Sequence, residues 1–121
     1  MRARRSRRSI SDSTAGAPDT FVSPGCGGSV AYQASGDKVY QFTLKERSHV
    51  NVQLKPGSFY NTVLSLRSDC ADPTRGEIVC VSYYQKTIDR DLDAGTYYVV
   101  VDGYGPKSEG AFTIELTTKK L

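Results

Sequence analysis

Apolar and polar residues alternate along most of the chain beyond residue 37. Residues 48–54, for example, run Ser-His-Val-Asn-Val-Gln-Leu, so that every second side chain is apolar. Alternation with a period of two places apolar side chains on one face of a β-strand. No window keeps apolar residues at helical spacing over three turns, so we predict no helix. The pattern predicts strands at 38–44, 48–54, 62–66, 77–81, 87–92, 96–102 and 111–117.

The segment 96–102, Thr-Tyr-Tyr-Val-Val-Val-Asp, is apolar on both faces, which indicates a strand in the middle of a sheet. Turn residues, chiefly Gly and Pro, separate the predicted strands at short intervals. Seven or eight short strands with such turns are typical of an antiparallel β-sandwich. We therefore predict an all-β fold.

Basic residues are concentrated at the start of the chain. Of the 16 Lys and Arg residues, five Arg lie within residues 1–8, and the remainder carries 11 basic against 13 acidic side chains. We predict a disordered Arg/Ser-rich tail over 1–14, followed by one domain over 15–121. Polar residues follow the arginines, so no signal peptide is predicted. No apolar run reaches the roughly 18–20 residues of a transmembrane helix.

Three cysteines are present. Cys70 and Cys80 flank a loop with Pro and Gly between two predicted strands, and such a loop can bring them within bonding range. We predict a disulfide between them, with two unpaired thiols as the alternative. Cys26 is left over, either free or paired outside this chain. No CxxC or His/Cys cluster exists in the sequence, so we predict no metal site of that kind.

Several stretches, taken in order, resemble the bacterial pre-peptidase C-terminal domain, especially the variety found in secreted proteins of myxobacteria. They are Ser-Thr-Ala-Gly-Ala-Pro-Asp at 13–19, Cys-Gly-Gly at 26–28, Asp-Lys-Val-Tyr-Gln-Phe-Thr-Leu at 37–44, Asn-Thr-Val-Leu-Ser-Leu-Arg at 61–67 and Gly-Thr-Tyr-Tyr-Val-Val-Val-Asp-Gly at 95–103. The paired cysteines also come in the family's order. The similarity covers about residues 13–118.

The resemblance implies a jelly-roll-like sandwich similar to the collagen-binding domains of collagenases. It implies a non-catalytic, secreted or cell-surface accessory module of the kind appended to peptidases and hydrolases. Its expected partner is an extracellular polymer, either a polysaccharide or a collagen-like chain, or a neighbouring catalytic domain.

One departure from the family concerns calcium. The family's acidic loop after the second cysteine is replaced here by Val-Ser-Tyr-Tyr-Gln at 81–85. Ca²⁺ requires six to eight oxygen ligands with several carboxylates. Asp89, Asp91 and Asp93 follow at alternating positions, which indicates one solvated strand face. We therefore predict no cofactor and no metal site, with calcium disfavoured.

Reactive side chains are scarce. His49 is the only general base near neutral pH, and its alternation with Val50 and Val52 places it on the outward face of a strand. Asp102 ends a strand at a Gly-flanked loop, where capping a turn is its expected role. No GxSxG elbow is present. We predict that the protein is not an enzyme.

Tyrosines in predicted loops supply the candidate binding surface. An exposed tyrosine offers a flat apolar face and a hydroxyl, which suits a sugar ring, a polyproline strand or a partner protein. The alternative is that these rings cover a sheet end. Tyr40 and Tyr97 are expected in the core. A second hypothesis has the basic tail attach a free-standing sandwich to nucleic acid, anionic lipid or an acidic partner, although nucleic acid is not favoured. The candidate residues are Tyr60, Tyr83, Tyr84 and Tyr104.

Overall fold

The regular structure consists of β-strands. The computed structural model describes residues 5–17, 36–56, 62–68, 76–82, 86–103 and 110–121. All seven predicted strands are confirmed, and each agrees with the prediction to within a few residues at its ends. The strands are β1 (Arg5–Ser13), β2 (Lys38–Leu44), β3 (Ser48–Pro56), β4 (Thr62–Arg67), β5 (Glu77–Ser82), β6 (Thr87–Leu92), β7 (Gly95–Gly103) and β8 (Ala111–Lys120).

Two four-stranded sheets form the sandwich. The first sheet has the strand order β1-β8-β3-β6 and the second has the order β2-β7-β4-β5. Every neighbouring pair is antiparallel. β7 lies between β2 and β4, as its apolar character on both faces predicted. The all-β antiparallel sandwich is confirmed.

The core lies between the inner faces of the two sheets. The alternating residues Val50, Val52 and Leu54 of β3 are buried there, and so are Leu64 and Leu66 of β4. Side chains of both sheets interdigitate in such a core. Tyr97 is buried, and its ring stacks on Phe42 with the ring centroids 5.6 Å apart. Tyr40 is half-buried and turns its ring edge toward Phe112 at 6.4 Å. The expectation that these two tyrosines belong to the core is confirmed.

β4 is buried on both faces. Its outward residues Val63, Ser65 and Arg67 are as inaccessible to solvent as its inward leucines. The Arg67 Nε donates a hydrogen bond of 3.4 Å to the Ser65 Oγ. The register places Arg67 opposite Glu77 of β5. A charged residue is rarely fully buried without partners. The sequence around Arg67 did not predict that this residue is buried.

The predicted disorder of residues 1–14 is wrong for residues 5–14, because Arg5–Ser13 form β1 and Thr14 is hydrogen-bonded to Gly110. β1 pairs with β8 along its whole length. The Ser11 and Thr113 hydroxyls lie 3.0 Å apart across this pair, and Arg7 contacts Glu115. Because β1 carries almost no apolar residues, its backbone pairing with β8 stabilises the strand. Sequence alternation of apolar residues cannot reveal such a strand.

The two ends of the sandwich carry different connections. At one end of the sandwich, the odd-numbered strands end and the even-numbered strands begin. We call this end the loop end. The connections there span 14–37, 57–61, 83–86 and 104–110. At the opposite end, residues 45–47 and 93–94 make short turns and residues 68–76 join β4 to β5. Connections at the end of a rigid sandwich are where binding residues commonly lie.

Candidate binding surfaces

Four predicted binding tyrosines lie outside the described residues, but the strand ends that hold them are described. Thr62 pairs with Gly103, and Val63 pairs with both Ser82 and Asp102. These strand ends therefore lie side by side at the loop end of the second sheet. The chain positions involved are Tyr60 just before Thr62, Tyr83 and Tyr84 directly after Ser82, and Tyr104 directly after Gly103.

Asp102 lies beside these attachment points. Its side chain is fully buried, and its Oδ1 accepts a hydrogen bond of 2.7 Å from the backbone N–H of Gly103. This contact organises the backbone where β7 ends. The turn after β7 lies outside the described residues, so the expected role of Asp102 in capping it stays a prediction.

The outer face of the first sheet is polar. On it, the Glu115 carboxylate accepts hydrogen bonds from the Arg7 guanidinium at 3.0 Å and from the Lys55 ammonium at 2.9 Å. These two donors lower the pKa of Glu115. The contacts cross from β1 through β8 to β3, so one carboxylate links three strands of the sheet.

His49 lies on this outer face, as predicted, and bridges two carboxylates of β6. Its Nδ1 lies 2.6 Å from Asp91 Oδ1, and its Nε2 lies 2.6 Å from Asp89 Oδ1. The register explains the arrangement, because His49 is opposite Asp91 and Asn51 is opposite Asp89. The hydrogen bonds to Asp91 and Asp89 raise the pKa of His49. The predicted solvated strand face is confirmed for Asp89 and Asp91, whose side chains are exposed, whereas the exposed Asp93 lies in the turn after β6.

This arrangement limits the chemistry of the imidazole. Both ring nitrogens face carboxylates, so neither is directed at a hydroxyl or thiol that it could activate. Within the described ranges, no group of three His, Cys, Asp or Glu side chains could hold a metal ion. The cluster acts as a cross-strand ion pair on the sheet surface.

A shallow apolar groove runs between β1 and β2, along one open side of the sandwich. Its lining includes the apolar side chains of Ile10, Phe42 and Leu116 together with Arg8 and Tyr40. Sequence analysis did not predict this groove, because it depends on the placement of β1.

Only one of the three cysteines lies in a described segment. Cys80 is half-buried on β5, while Cys70 and Cys26 lie outside the described residues. The predicted disulfide between Cys70 and Cys80 therefore stays a prediction. The described residues also include no helical segment with the length and hydropathy of a transmembrane span.

Comparison with solved structures places this architecture among known folds. The chain is similar to the pre-peptidase C-terminal domain of a collagenase from Bacillus anthracis, with a TM-score of 0.58 and 12% sequence identity, over 91% of this chain and 88% of that one. The fold resembles a pre-peptidase C-terminal domain. The resemblance predicted from the sequence is thereby confirmed as a shared fold.

Two further solved structures share the fold. One is PliG, a periplasmic inhibitor of g-type lysozyme from Aeromonas hydrophila, with a TM-score of 0.56 and 12% identity over 96% of this chain and 87% of that one. The other is a mitogen derived from Yersinia pseudotuberculosis, with a TM-score of 0.53 and 9% identity over 96% and 86%. No protein-family model and no curated protein sequence matches the chain.

Several features of the surface escaped the sequence analysis. The bridge from His49 to Asp89 and Asp91 needs the β3–β6 register, although their alternating spacing hinted that the aspartates share a face. The contacts of Glu115 need the positions of β1 and β3 on either side of β8. Cross-strand pairs of this kind are decided by register, which a single sequence does not contain.

Proposed function

We propose that the protein is a non-catalytic extracellular binding module that acts through the loop end of its sandwich. Its ligand is an extracellular polymer, a polysaccharide or a collagen-like chain, or a neighbouring catalytic domain. The observation that carries the proposal is the convergence of strand ends at Thr62, Ser82 and Gly103, which tethers four tyrosines to one end of a rigid sheet.

The chemistry of tyrosine supports a polymer ligand. Repeating sugars and polyproline strands present extended faces that stack on flat rings, while the tyrosine hydroxyl supplies a hydrogen bond. Several rings at one end of a scaffold can engage successive units of one polymer. In this proposal, Tyr83 and Tyr84 are the principal contacts, with Tyr60 and Tyr104 beside them.

Three further observations support an accessory role. The ring nitrogens of His49 are occupied by Asp89 and Asp91, so the imidazole is not placed as a catalytic base. The shared fold with a domain of a collagenase and with a periplasmic inhibitor supports an extracellular or periplasmic location. A disulfide between Cys70 and Cys80 belongs to this proposal, because disulfides persist in such oxidising compartments.

The alternative of a free basic arm has less support. Residues 5–13 belong to β1, and the Arg7 guanidinium is engaged with Glu115. An arm that binds phosphates requires arginines that are free to reach them. Binding of a phosphate by Arg7 would compete with its contact to Glu115.

Retention on an insoluble polymer tests the proposal. Purified protein is incubated with cellulose, chitin and fibrillar collagen, and the bound fraction is measured for the wild type and for the double variant Tyr83→Ala/Tyr84→Ala. We expect the wild type to be retained on one polymer and the double variant to lose about ten-fold in affinity, since each stacked ring contributes about 0.5–1.5 kcal/mol.

Lys45→Ala is the matched control, because Lys45 is exposed in a turn at the opposite end. We expect it to bind as the wild type does. Equal retention of the wild type and of all four single Tyr→Ala variants would contradict the assignment of the binding surface. Binding that disappears only when residues 1–8 are deleted would favour the basic-arm hypothesis.

A further inference from the structure

On its outer face, the first sheet has two edges of opposite charge, while Asp12 of β1 and Arg90 of β6 lie on the alternate face of their strands. Among the described strands, β1 and β6 form its edges. β1 carries Arg7 and Arg8, and the Arg7 side chain is 66% exposed. β6 carries Asp89 and Asp91, which are 56% and 48% exposed. A sheet edge presents unpaired backbone groups that can template another strand.

The hydrogen-bond pattern shows which residues of β1 face its free edge. The backbone N–H of Thr14 donates to the carbonyl of Gly110, just beyond the β1–β8 pair. In an antiparallel ladder, alternate residues direct their backbone groups toward the partner strand and the residues between them direct theirs away. The backbone groups of Arg7, Ser9 and Ser11 therefore point away from β8.

The same reasoning applies to β6. The backbone N–H of Leu54 in β3 donates to the carbonyl of Lys86, directly before β6. Alternation then directs Ile88 and Arg90 toward β3. The backbone groups of Thr87, Asp89 and Asp91 point toward the free edge.

We propose that copies of this chain associate head to tail, with β1 of one copy pairing antiparallel with β6 of the next. When Ser9 lies opposite Thr87, Arg7 lies opposite Asp89 on the outer face, and Arg8 lies opposite Ile88. Within each copy Arg7 contacts Glu115 and Asp89 contacts His49, so the new contact would add to these two ion pairs. Opposite charges directly across a strand pair stabilise it. Shifting the pair by two residues, with Ser9 opposite Asp89, would set Arg8 against Arg90, which disfavours that register.

Strand direction permits this contact without any rotation. Neighbours in the first sheet alternate in direction, so β1 and β6 run oppositely. A second copy in the same orientation therefore brings its β1 beside β6 as an antiparallel neighbour, with the outer faces continuous. Two-fold pairing of β1 with β1 would join two edges with a net positive charge, and pairing of β6 with β6 would bring the aspartates of two copies together. Charge thus favours the head-to-tail contact, which builds chains of copies or rings.

Such an assembly would align the loop ends of successive copies on one side. Several binding surfaces in a row raise the avidity for a repeating polymer. This advantage depends on the proposed function, whereas the assembly itself does not.

Analytical ultracentrifugation of the full chain tests the assembly, with proline used to block each edge. Ser9→Pro and Thr87→Pro each remove a backbone N–H that points to a free edge, which an edge strand tolerates within its own sheet. Ser9→Ala and Thr87→Ala are the matched controls, because they remove the hydroxyl and keep the N–H. Circular-dichroism melting checks that every variant is folded.

We expect the wild type to assemble with rising concentration at low ionic strength and to dissociate at about 1 M salt, where the Debye length falls to about 3 Å. Each proline variant alone should be monomeric, while each alanine control assembles. An equimolar mixture of the two proline variants should stop at dimers, because each copy retains one usable edge.

Charge reversal gives a second readout that does not depend on proline. Arg7→Glu and Asp89→Lys should each abolish assembly, and the double variant Arg7→Glu/Asp89→Lys should restore it. A wild type that stays monomeric at every concentration and low salt would overturn the proposal. Dimers formed by Thr87→Pro alone would instead show two-fold pairing of β1, and dimers formed by Ser9→Pro alone would show pairing of β6. Either result contradicts head-to-tail assembly.

Discussion

The Tyr40 hydroxyl donates a hydrogen bond of 2.6 Å to the Asp12 carboxylate and so joins β2 of the second sheet to β1 of the first. The Lys38 ammonium lies 3.9 Å from the same carboxylate. The bond to Tyr40 lowers the pKa of Asp12, and burial together with this bond raises the pKa of Tyr40. This polar contact holds the first strand of the chain against the opposite sheet.

We expect Tyr40→Phe to lower the free energy of unfolding by about 1–2 kcal/mol, because a hydrogen bond to a charged acceptor is lost while the ring keeps its contact with Phe112. Urea denaturation at pH 7 measures the change. The folded pKa of Asp12 is lowered, so this contribution should be present above the unfolded-state pKa and lost as the pH falls through the folded one.

A double-mutant cycle with Asp12→Ala separates this bond from other effects. The coupling energy should account for most of the loss in Tyr40→Phe. Additive effects of the two substitutions would show that the bond contributes nothing to stability.

The pKa of His49 should lie above that of an ordinary histidine, because Asp91 and Asp89 stabilise its protonated form. On the other side of β3, Lys119 of β8 is opposite His49 in the register. Since the folded pKa is raised, the ion pair stabilises the fold fully below the unfolded-state value of 6.5. This stabilisation is lost as the pH rises through the folded pKa.

NMR follows the titration without ambiguity, because the chain has one histidine. Asp91→Asn should bring the pKa of His49 back toward its ordinary value, and His49→Gln should flatten the pH dependence of the melting temperature in this range. A titration midpoint at or below 6.5 in the wild type would be incompatible with the bridge.

One buried and one exposed valine give a matched test of which strand faces form the core. Val52 is fully buried on β3, whereas Val39 on β2 is 43% exposed. Val52→Ala removes two buried carbon atoms and leaves a cavity, so we expect a loss of about 2 kcal/mol. Val39→Ala should cost less than about 0.5 kcal/mol. Chemical denaturation of both variants measures the difference, and equal losses would mean that the inner face is wrongly assigned.

We expect a disulfide between Cys70 and Cys80 in protein from an oxidising compartment. Closing this loop stabilises the fold by roughly 2.5–3 kcal/mol in the chain-entropy model. Peptide mapping under non-reducing conditions identifies the pair, and the melting temperature should fall on reduction. Cys26→Ser is the control and should leave both results unchanged. A cross-linked peptide that contains Cys26 would disprove this pairing.

The sequence predicted most of the strands because their inner residues alternate with polar ones. The alternating residues Val50, Val52 and Leu54 predicted β3. The segment of β7 that is apolar on both faces predicted a central strand. β1 consists of arginine, serine and aspartate residues with a single isoleucine, so it has no apolar period. This strand is stabilised by its backbone pairing with β8 and by the hydrogen bond from Tyr40 to Asp12. Both β8 and Tyr40 are distant from β1 in the sequence.

Local composition by itself therefore determined that the chain forms short antiparallel strands around an apolar core, since burial of every second residue depends only on near neighbours along the chain. Only the tertiary structure decided which polar residues meet. The pairing of His49 with two aspartates, the opposite charges of the two sheet edges and the gathering of strand ends at the loop end all depend on register and strand order. Long-range packing selects these relationships, because many registers and strand orders are compatible with one alternating pattern.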